Sequence, residues 1–370
     1  MISPIWSEVM DLAKKSLFMS SPNPRVGCVI TNKNDEIIGR GFTQAAGSEH
    51  AEIMALNDAK SRGSSLKGAT VYVSLEPCSH QGRTGPCCDA LIKSDVAKVV
   101  ASIADPNPIV SGQGFAKLQA AGIEIETGPM EEESKALNIG FFSRHLRHRP
   151  WVRMKLASSL DGKIALNNGK SQWITTPEAR ADGHAWRARS CAVLTGIGTV
   201  LLDNPILDTR HVQTSRQPHL VVIDSRLETP LNASLFKPQR RILVYAAIED
   251  RSRVTALKDM GAEVVICPEV SLQKTGKVDL NAMMADLARR EVNEVHVEAG
   301  HMLNGSLIKA GLVDELLLYM APKLIGTGLG MANLGEHETL DQVTELNFTS
   351  IEVIGGDLRF LAHFKNHLPF

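Results

Sequence analysis

The sequence predicts a two-domain α/β protein. Helix-period and strand-like apolar runs alternate along almost the whole chain, the pattern of strand–helix layering. The 370 residues exceed one ordinary domain of about 100–200 residues. A basic run closed by proline, Arg144-His145-Leu146-Arg147-His148-Arg149-Pro150, separates halves that share no motif and show no internal repeat. The joint is placed at 147, giving domains over 1–147 and 148–370.

In the first half, Ile5, Val9, Leu12, Ala13 and Leu17 recur at helical intervals over 4–19, and Pro22 and Pro24 stop the helix. Residues 26–31 and 36–43 are short strand-like runs around Asn32-Lys33-Asn34-Asp35, a hairpin turn. A helix over 50–61, a strand over 69–75, a helix over 86–93, a strand over 97–103 and helices over 113–121 and 129–146 follow. The second half opens on a strand over 151–157 and a helix over 176–188. Strands over 191–195, 219–224, 241–246, 263–267 and 293–298 come next, then a helix over 301–310. Two C-terminal strands near 314–320 and 346–363 complete it.

Composition removes several classes of function. The 40 Lys+Arg balance 41 Asp+Glu, so no global positive field gathers phosphates, and neither nucleic acid nor membrane is expected as a partner. No apolar run nears the ~18 residues of a membrane span, and Glu8 and Asp11 interrupt what a signal peptide would need. Six cysteines are too few for a disulfide scaffold, and three crowd into 78–88. That clustering reads as metal or redox chemistry in a reducing compartment. The expectation is a cytoplasmic protein acting on a small molecule, as a homo-oligomer that balanced charge permits.

His50-Ala51-Glu52 sits where Gly47-Ser48-Glu49 turns into a helix, Pro77-Cys78 ends a strand, and Pro86-Cys87 opens another helix. One imidazole and two thiolates make three ligands and leave a fourth tetrahedral position for water, the count of a catalytic Zn2+. Helix N-termini favour the thiolates that zinc requires. The pattern H-x-E…P-C-x-x-C is the signature of zinc deaminases. It departs here in one place: eight residues, 79–86, separate Cys78 from Cys87 where the pattern has two. The longer loop brings His80, Gln81, Arg83 and Thr84, donors of the kind that hold phosphate. In such a site Glu52 takes a proton from the zinc-activated water and returns protons to departing ammonia. A purely structural zinc would want a fourth protein ligand, and Cys88 reaches the same ion only with strain. Cys28 alternates along a strand as core. Asn23 either offers its amide to substrate or only ends a helix.

These runs resemble a known family. His50-Ala51-Glu52, Leu75-Glu76-Pro77-Cys78-Ser79-His80-Gln81-Gly82-Arg83-Thr84-Gly85-Pro86-Cys87-Cys88-Asp89-Ala90, and Asp105-Pro106-Asn107-Pro108 followed by Gly112-Gln113-Gly114 look like the riboflavin-biosynthesis pyrimidine deaminases. In that family the deaminase is commonly fused to a C-terminal reductase, and the resemblance covers essentially the whole chain. It implies a cytidine-deaminase-like α/β/α domain with Glu52 catalytic and zinc on His50, Cys78 and Cys87. The implied substrate is 2,5-diamino-6-(5-phosphoribosylamino)pyrimidin-4(3H)-one, deaminated at the position 2 amino group, with His80 and Arg83 suited to the ribose phosphate.

After residue 150 there is no zinc motif and no G-x-G-x-x-G. Three strand ends carry Gly, Thr, Ser and Asp instead: Leu194-Thr195-Gly196-Ile197-Gly198-Thr199, Leu220-Val221-Val222-Ile223-Asp224-Ser225-Arg226, and 297–306. Open α/β sheets bind nucleotides in that arrangement, with glycines letting backbone amides approach phosphate. Arg226 either takes a 2′-phosphate or is a solvated loop arginine. Through Lys155-Leu156-Ala157-Ser158-Ser159-Leu160-Asp161-Gly162-Lys163, Ser171-Gln172-Trp173-Ile174-Thr175, 199–210 and 298–306, this half resembles the dihydrofolate-reductase-like reductase domain of the same pathway. The resemblance implies NADPH lined by Ala157, Trp173, Thr199, Asp203, Ser225, Gly300, His301, Met302, Leu303, Asn304, Gly305 and Ser306. It implies that Ser171, Arg187, Leu207, Arg210 and Glu298 hold the phosphoribosyl substrate. Reducing a ribosylamine to a ribitylamine needs ring opening to an imine and hydride at C1′, so proton donors and a carboxylate belong near the ribose. Lys155, Asp203 and Glu298 are candidates, against a snorkelling lysine and a turn-capping aspartate.

Two other readings compete. One is a nucleobase or tRNA deaminase fused to an unrelated NADPH-dependent reductase, although tRNA would want a basic surface beyond 144–149. The other is a zinc-stapled binding protein, which metal removal would unfold.

Overall fold

Pro4–Lys15 (α1) begins at a proline whose fixed φ suits the first helical position, and Trp6, Val9, Met10, Leu12 and Ala13 turn inward from it. Gly27–Thr31 (β1) and Ile37–Phe42 (β2) form the expected hairpin, with Asp35 at φ 61° in its turn. Ala51–Ser61 (α2), Thr70–Val73 (β3), Cys87–Lys93 (α3), Lys98–Ala101 (β4) and Gln113–Ala120 (α4) follow. Glu124–Thr127 (β5), Glu131–Leu137 (α5) and Ile139–Arg147 (α6) complete the first half. This computed structural model describes residues 3–81, 85–270 and 276–365, and the chain divides into two compact units, Met1–His148 and Arg149–Phe370.

The first unit is built on one sheet in the order β2-β1-β3-β4-β5, antiparallel across β2, β1 and β3 and parallel from β3 to β5. Trp6, Val9, Leu12, Val29 and Val100 pack between α1 and the sheet. On β2, glycine lets a helix lie directly on the strand: a Cβ at Gly41 would fall 2.1 Å from the Ala51 carbonyl oxygen and 2.5 Å from the Ala55 nitrogen. That approach sets the height of the first turn of α2, beside His50 and Glu52.

One expectation is corrected in this unit. The helix expected over 129–146 is two helices, because Asn138 leaves the helical path to serve the backbone of Arg25. Its Oδ1 accepts the Arg25 N–H at 2.7 Å and its Nδ2 donates to the Arg25 carbonyl at 3.0 Å. The basic run at 144–149 lies where the two units meet in the chain: Arg144, His145 and Arg147 form the last turn of α6, and His148 at φ 56° closes it. Positive side chains there complement the negative end of the helix dipole.

The second unit comprises Trp151–Ser159 (β6), Lys163–Leu166 (β7), Pro177–Arg189 (α7), Ala192–Gly196 (β8) and Ile197–Asp203 (α8). Then come His219–Ile223 (β9), Ile242–Ala246 (β10), Arg251–Asp259 (α9), Ala262–Ile266 (β11) and Leu280–Arg289 (α10). Glu294–Val297 (β12), His301–Lys309 (α11), Glu315–Ala321 (β13), Gly328–Gly330 (β14), Leu346–Ile354 (β15) and Asp357–Phe364 (β16) end it. Nine strands pair in the order β11-β10-β9-β8-β12-β6-β13-β16-β15, parallel as far as β13 and antiparallel beyond. Strands covered on both faces read as continuous apolar runs; every residue of β8 and β10 is buried. The single strand expected over 346–363 is the hairpin β15–β16, turning at Gly355 with φ 61°. Among the described residues, no helix is long and apolar enough to cross a membrane.

Gly41→Ala is expected to destabilise the first unit by about 1–3 kcal/mol, the cost of overpacking a closed contact. Denaturant titration should show an earlier transition for this unit and an unmoved one for the second.

Candidate active sites

His50 precedes α2 in extended conformation, and Glu52 lies in that helix's first turn with 4% of its surface exposed. Cys78 follows the end of β3, and Cys87 is the first residue of α3. The Cys87 N–H donates to the Cys78 sulfur at 3.3 Å and the Cys88 N–H to the Cys78 carbonyl at 3.1 Å. The start of α3 thereby folds back onto Cys78 despite the long intervening loop. His50 Nδ1 lies 3.6 Å from Cys78 Sγ and 3.4 Å from Cys87 Sγ, and all three ligand atoms fall within 4.8 Å of one another. A tetrahedral zinc with ordinary bond lengths separates nitrogen from sulfur by about 3.6 Å, so the residues fit that ion. Cys88 points elsewhere, its thiol donating to the Pro77 and Gly114 carbonyls. Cys28 is fully buried.

Electrostatics in the cluster follow from burial and crowding. A hydrogen bond from Cys87 leads the causes that hold the Cys78 thiol far below its usual range, while the same partnership and burial push Cys87 up. Burial first, and the negative charge at Cys78 second, push Glu52 up to about 7. A carboxyl so placed can both take and return a proton near neutrality. Asp105, to which residue-by-residue reasoning gave no role, is also buried, and loss of solvation pushes it up to about 7. His80 is half-buried, with Nδ1 enclosed and unpartnered among the described residues; Arg83 and Thr84 lie outside those residues. Asn23 closes a turn through its N–H to the Ser20 carbonyl at 2.8 Å.

In the second unit the C-terminal ends of the neighbouring strands β9, β8, β12 and β6 deliver Ser225, 196–199, 298–300 and Ala157. Gly300 precedes α11; a Cβ there would meet only the Thr199 hydroxyl, at 3.9 Å, and one at Gly198 would meet nothing within 4 Å. Open glycine backbone beside hydroxyls at strand ends has the donor chemistry of a nucleotide-phosphate cradle, and NADPH fits it. Residues 300–306 present one helical face rather than seven contiguous contacts. Gly300, Met302 and Ser306 are exposed, His301 and Leu303 half-buried. Asn304 is buried, donating to the Ala299 and Met331 carbonyls at 3.1 and 3.0 Å. A Cβ on Gly305 would lie 2.0 Å from the Asn333 oxygen. Trp173 is 64% exposed with the Arg180 guanidinium 4.4 Å from its ring, and Ser171 is half-buried nearby in the chain.

Charged groups gather at the same sheet end. Arg187 Nε donates to Glu298 Oε1 at 2.7 Å, and His296 Nε2 stands 3.5 Å from that oxygen. Burial alone would raise Glu298; the Arg187 charge and the His296 hydrogen bond overcome it and hold the carboxyl well below its usual range. Lys155 shares this field: desolvation pulls it down, Glu298 resists, and Arg187 adds to the fall. Arg210 pairs with Asp208 at 3.2 Å and donates its backbone N–H to His184 Nδ1 at 3.2 Å. Two candidates stand apart. Asp203, exposed at the end of α8, is not among the charges acting on Lys155 or Glu298. The Leu207 side chain is core, packed with Val193, Val200 and Leu220, and its carbonyl accepts from Arg240.

Comparison with known proteins identifies both halves. Residues 4–103 match the family described as the cytidine and deoxycytidylate deaminase zinc-binding region, and residues 150–360 the RibD C-terminal domain. Over 366 residues the chain is 42% identical to riboflavin biosynthesis protein RibD of Escherichia coli strain K12, covering 95% of this chain and 96% of that protein. The chain belongs to the RibD family. RibD of Aquifex aeolicus is 38% identical over 358 residues, covering 97% of this chain and 96% of that one. Among solved RibD structures, form 1 of the Acinetobacter baumannii protein superposes with TM-score 0.89 at 37% identity, covering 98% of each chain. A Thermotoga maritima protein titled diaminohydroxyphosphoribosylaminopyrimidine deaminase/5-amino-6-(5-phosphoribosylamino)uracil reductase gives 0.84 at 32% identity, covering 97% of each. The fold is that of the RibD family: a cytidine-deaminase-like first domain and a dihydrofolate-reductase-like second one.

One consequence concerns His184. Burial, then Arg187 and Arg210, push its imidazole down to about 4, whereas an unfolded histidine titrates near about 6.5. Between those values the unfolded chain binds a proton that the folded one refuses, so stability falls as pH drops through that window. His184→Gln should flatten the decline in the second unit's thermal midpoint between about pH 7 and pH 5.

Proposed function

We propose that this RibD-family chain carries out two successive reactions of riboflavin biosynthesis. Residues 1–147 remove an amino group from 2,5-diamino-6-(5-phosphoribosylamino)pyrimidin-4(3H)-one by hydrolysis. Residues 148–370 reduce the ribosyl side chain of the product to ribityl with NADPH. The observation that carries the reading is the meeting of His50 Nδ1 with the sulfurs of Cys78 and Cys87 beside the buried carboxyl of Glu52.

In the deaminase, His50, Cys78 and Cys87 would hold the zinc, which would supply Lewis acidity to the attacking water. Glu52 accepts the proton of the attacking water and delivers it to the leaving amine, in surroundings dry enough to keep its affinity for the proton near neutrality. The ribose phosphate is assigned to His80 and Arg83, whose side chains carry the donor chemistry for it. In the reductase, Ala157, Trp173, Thr199, Asp203, Ser225 and the exposed face of 300–306 would hold NADPH, which would supply the hydride. Arg187, Arg210 and Ser171 hold the substrate phosphate. Glu298 balances the positive charge of the ring-opened imine, and Lys155, whose proton is loosened by desolvation, protonates the ribose oxygen as the ring opens.

Glu52→Gln is expected to lower deamination by about 10²–10⁴-fold, the range of a general acid–base group, with zinc content retained. NADPH oxidation on already deaminated substrate should persist. Loss of both activities from a folded variant would overturn the division of labour, and absence of NADPH oxidation in the unaltered chain would overturn the reductase assignment.

The assignment extends to a cytoplasmic homo-oligomer. Its support is the edge strand β15, which leaves Phe348, Ile351 and Val353 more than half exposed. Long apolar edges left open invite pairing. Light scattering on the purified chain should give a multiple of the single-chain mass; a monomer at micromolar concentration would remove the proposal.

A further inference from the structure

Glu76, two residues before Cys78, is 3% exposed and carries a hydrogen-bond load unlike any other carboxylate near the metal site. Its Oε2 accepts the N–H groups of Asp105 at 3.1 Å and Gly112 at 2.9 Å. Its Oε1 accepts those of Gly114 at 2.9 Å and Phe115 at 3.3 Å, in the first turn of α4. Four donors occupy the roughly four lone-pair directions of an ionised carboxylate. The Glu76 N–H itself donates to the Ile103 carbonyl at 3.0 Å.

The consequence is geometric. Oε2 grips both ends of the 105–112 loop, so one atom closes it. Inside the loop, Asp105 Oδ1 accepts from the Asn107 N–H at 2.8 Å and Asn107 Oδ1 from the Ile109 N–H at 3.1 Å. Those bonds shape the loop but do not attach it to anything else. Attachment comes through Glu76, through the buried Val110 side chain, and through close packing at Gly114, where a Cβ would lie 2.2 Å from the Pro77 carbonyl oxygen. Gly114, just past the loop, packs on Pro77 beside Cys78 and its carbonyl accepts from the thiol of Cys88, the neighbour of Cys87, at 3.6 Å, so the end of the loop borders the metal site.

We propose that Glu76 is a positioning residue of the deaminase: it clamps the 105–112 loop, as one wall of the substrate site, to the same short segment that delivers Cys78. This rests on the deaminase reading above. Because the loop and the metal ligand hang from residues two apart in sequence, their spacing is set by that segment and not by the outer surface of the unit. A glutamine in this place has one acceptor oxygen, and its amide turns two donors against backbone donors. It releases half the clamp while keeping the side chain's size.

The test compares Glu76→Gln and Glu76→Asp with the unaltered full-length chain, measuring zinc content, reductase rate, deaminase kcat and KM, and amide hydrogen exchange. Glu76→Gln should keep its zinc and its reductase rate and raise KM for the pyrimidine by about tenfold or more, on the order of one net hydrogen bond, with a smaller change in kcat. Exchange should quicken at Asp105, Gly112, Gly114 and Phe115. Glu76→Asp, which keeps the charge, should hold KM closer to that of the unaltered chain than Glu76→Gln does. An unchanged KM with those amides still protected overturns the proposal, and so does loss of zinc in step with activity, which would place the effect on Cys78. Glu52→Gln, assayed alongside, separates the two ideas: if it leaves deamination intact, the reading of the site itself is at fault.

Discussion

Three atoms from three separate segments must meet around one ion, and the first unit is organised by that demand. His50 arrives on a loop whose helix is pressed onto β2 through Gly39 and Gly41. Cys78 arrives on the segment that follows β3, the strand where the sheet passes from antiparallel to parallel pairing. Cys87 arrives at the head of a short helix whose first amide is already bonded to the Cys78 sulfur. Each delivery depends on a regular element or its edge, so eight residues can separate Cys78 from Cys87 in the sequence while their sulfurs still meet. The same elements keep Glu52 enclosed, and enclosure makes its carboxyl an effective proton carrier rather than a permanent charge.

The second unit applies a related logic to a sheet. Glu294 and His296 share one face of β12, with Glu298 just beyond its end, and Arg153 and Lys155 share one face of β6. At one end, fully buried Arg153 pairs with Glu294 at 3.1 Å and Glu315 at 2.7 Å, and Arg189 also reaches Glu294. At the other end, Glu298 pairs with Arg187 beside Lys155. Buried ion pairs of this kind add little net stability, yet losing one partner is costly because the other charge is stranded. The array therefore orients the sheet's charges more than it strengthens the fold. It ends where the strand termini open, at the group formed by Arg187, Glu298 and Lys155.

How much could be read in advance varied with the physics of each feature. Trp151, the β8 and β10 runs and the α1 periodicity were legible because burial on known faces writes itself into residue order. Strand β5 was not, since Ile125 is its one apolar residue and the strand is held by pairing to β4 alone. Helix α9 buries only Leu257 and leaves almost no period to detect. Helix α10 was detectable: Asp279 caps it by accepting the Ala282 N–H, and Leu280, Met283, Met284 and Leu287 repeat at helical spacing. Asn138 breaks a helix for the sake of Arg25, a partner 113 residues away, and no local rule foresees that.

By itself the sequence determined the ligand types, their spacing, the carboxylate two residues from His50 and the alternation that makes both halves α/β, because each is a property of residue identity and order. The tertiary structure alone decided which residues share a site. It joined Lys155 to Arg187 and Glu298, left Asp203 apart, turned Asn304, Gly305 and Leu207 inward, and hung the 105–112 loop from Glu76. Those outcomes depend on distances between segments remote in the chain, and such distances are fixed only when the sheets close and the helices dock on them.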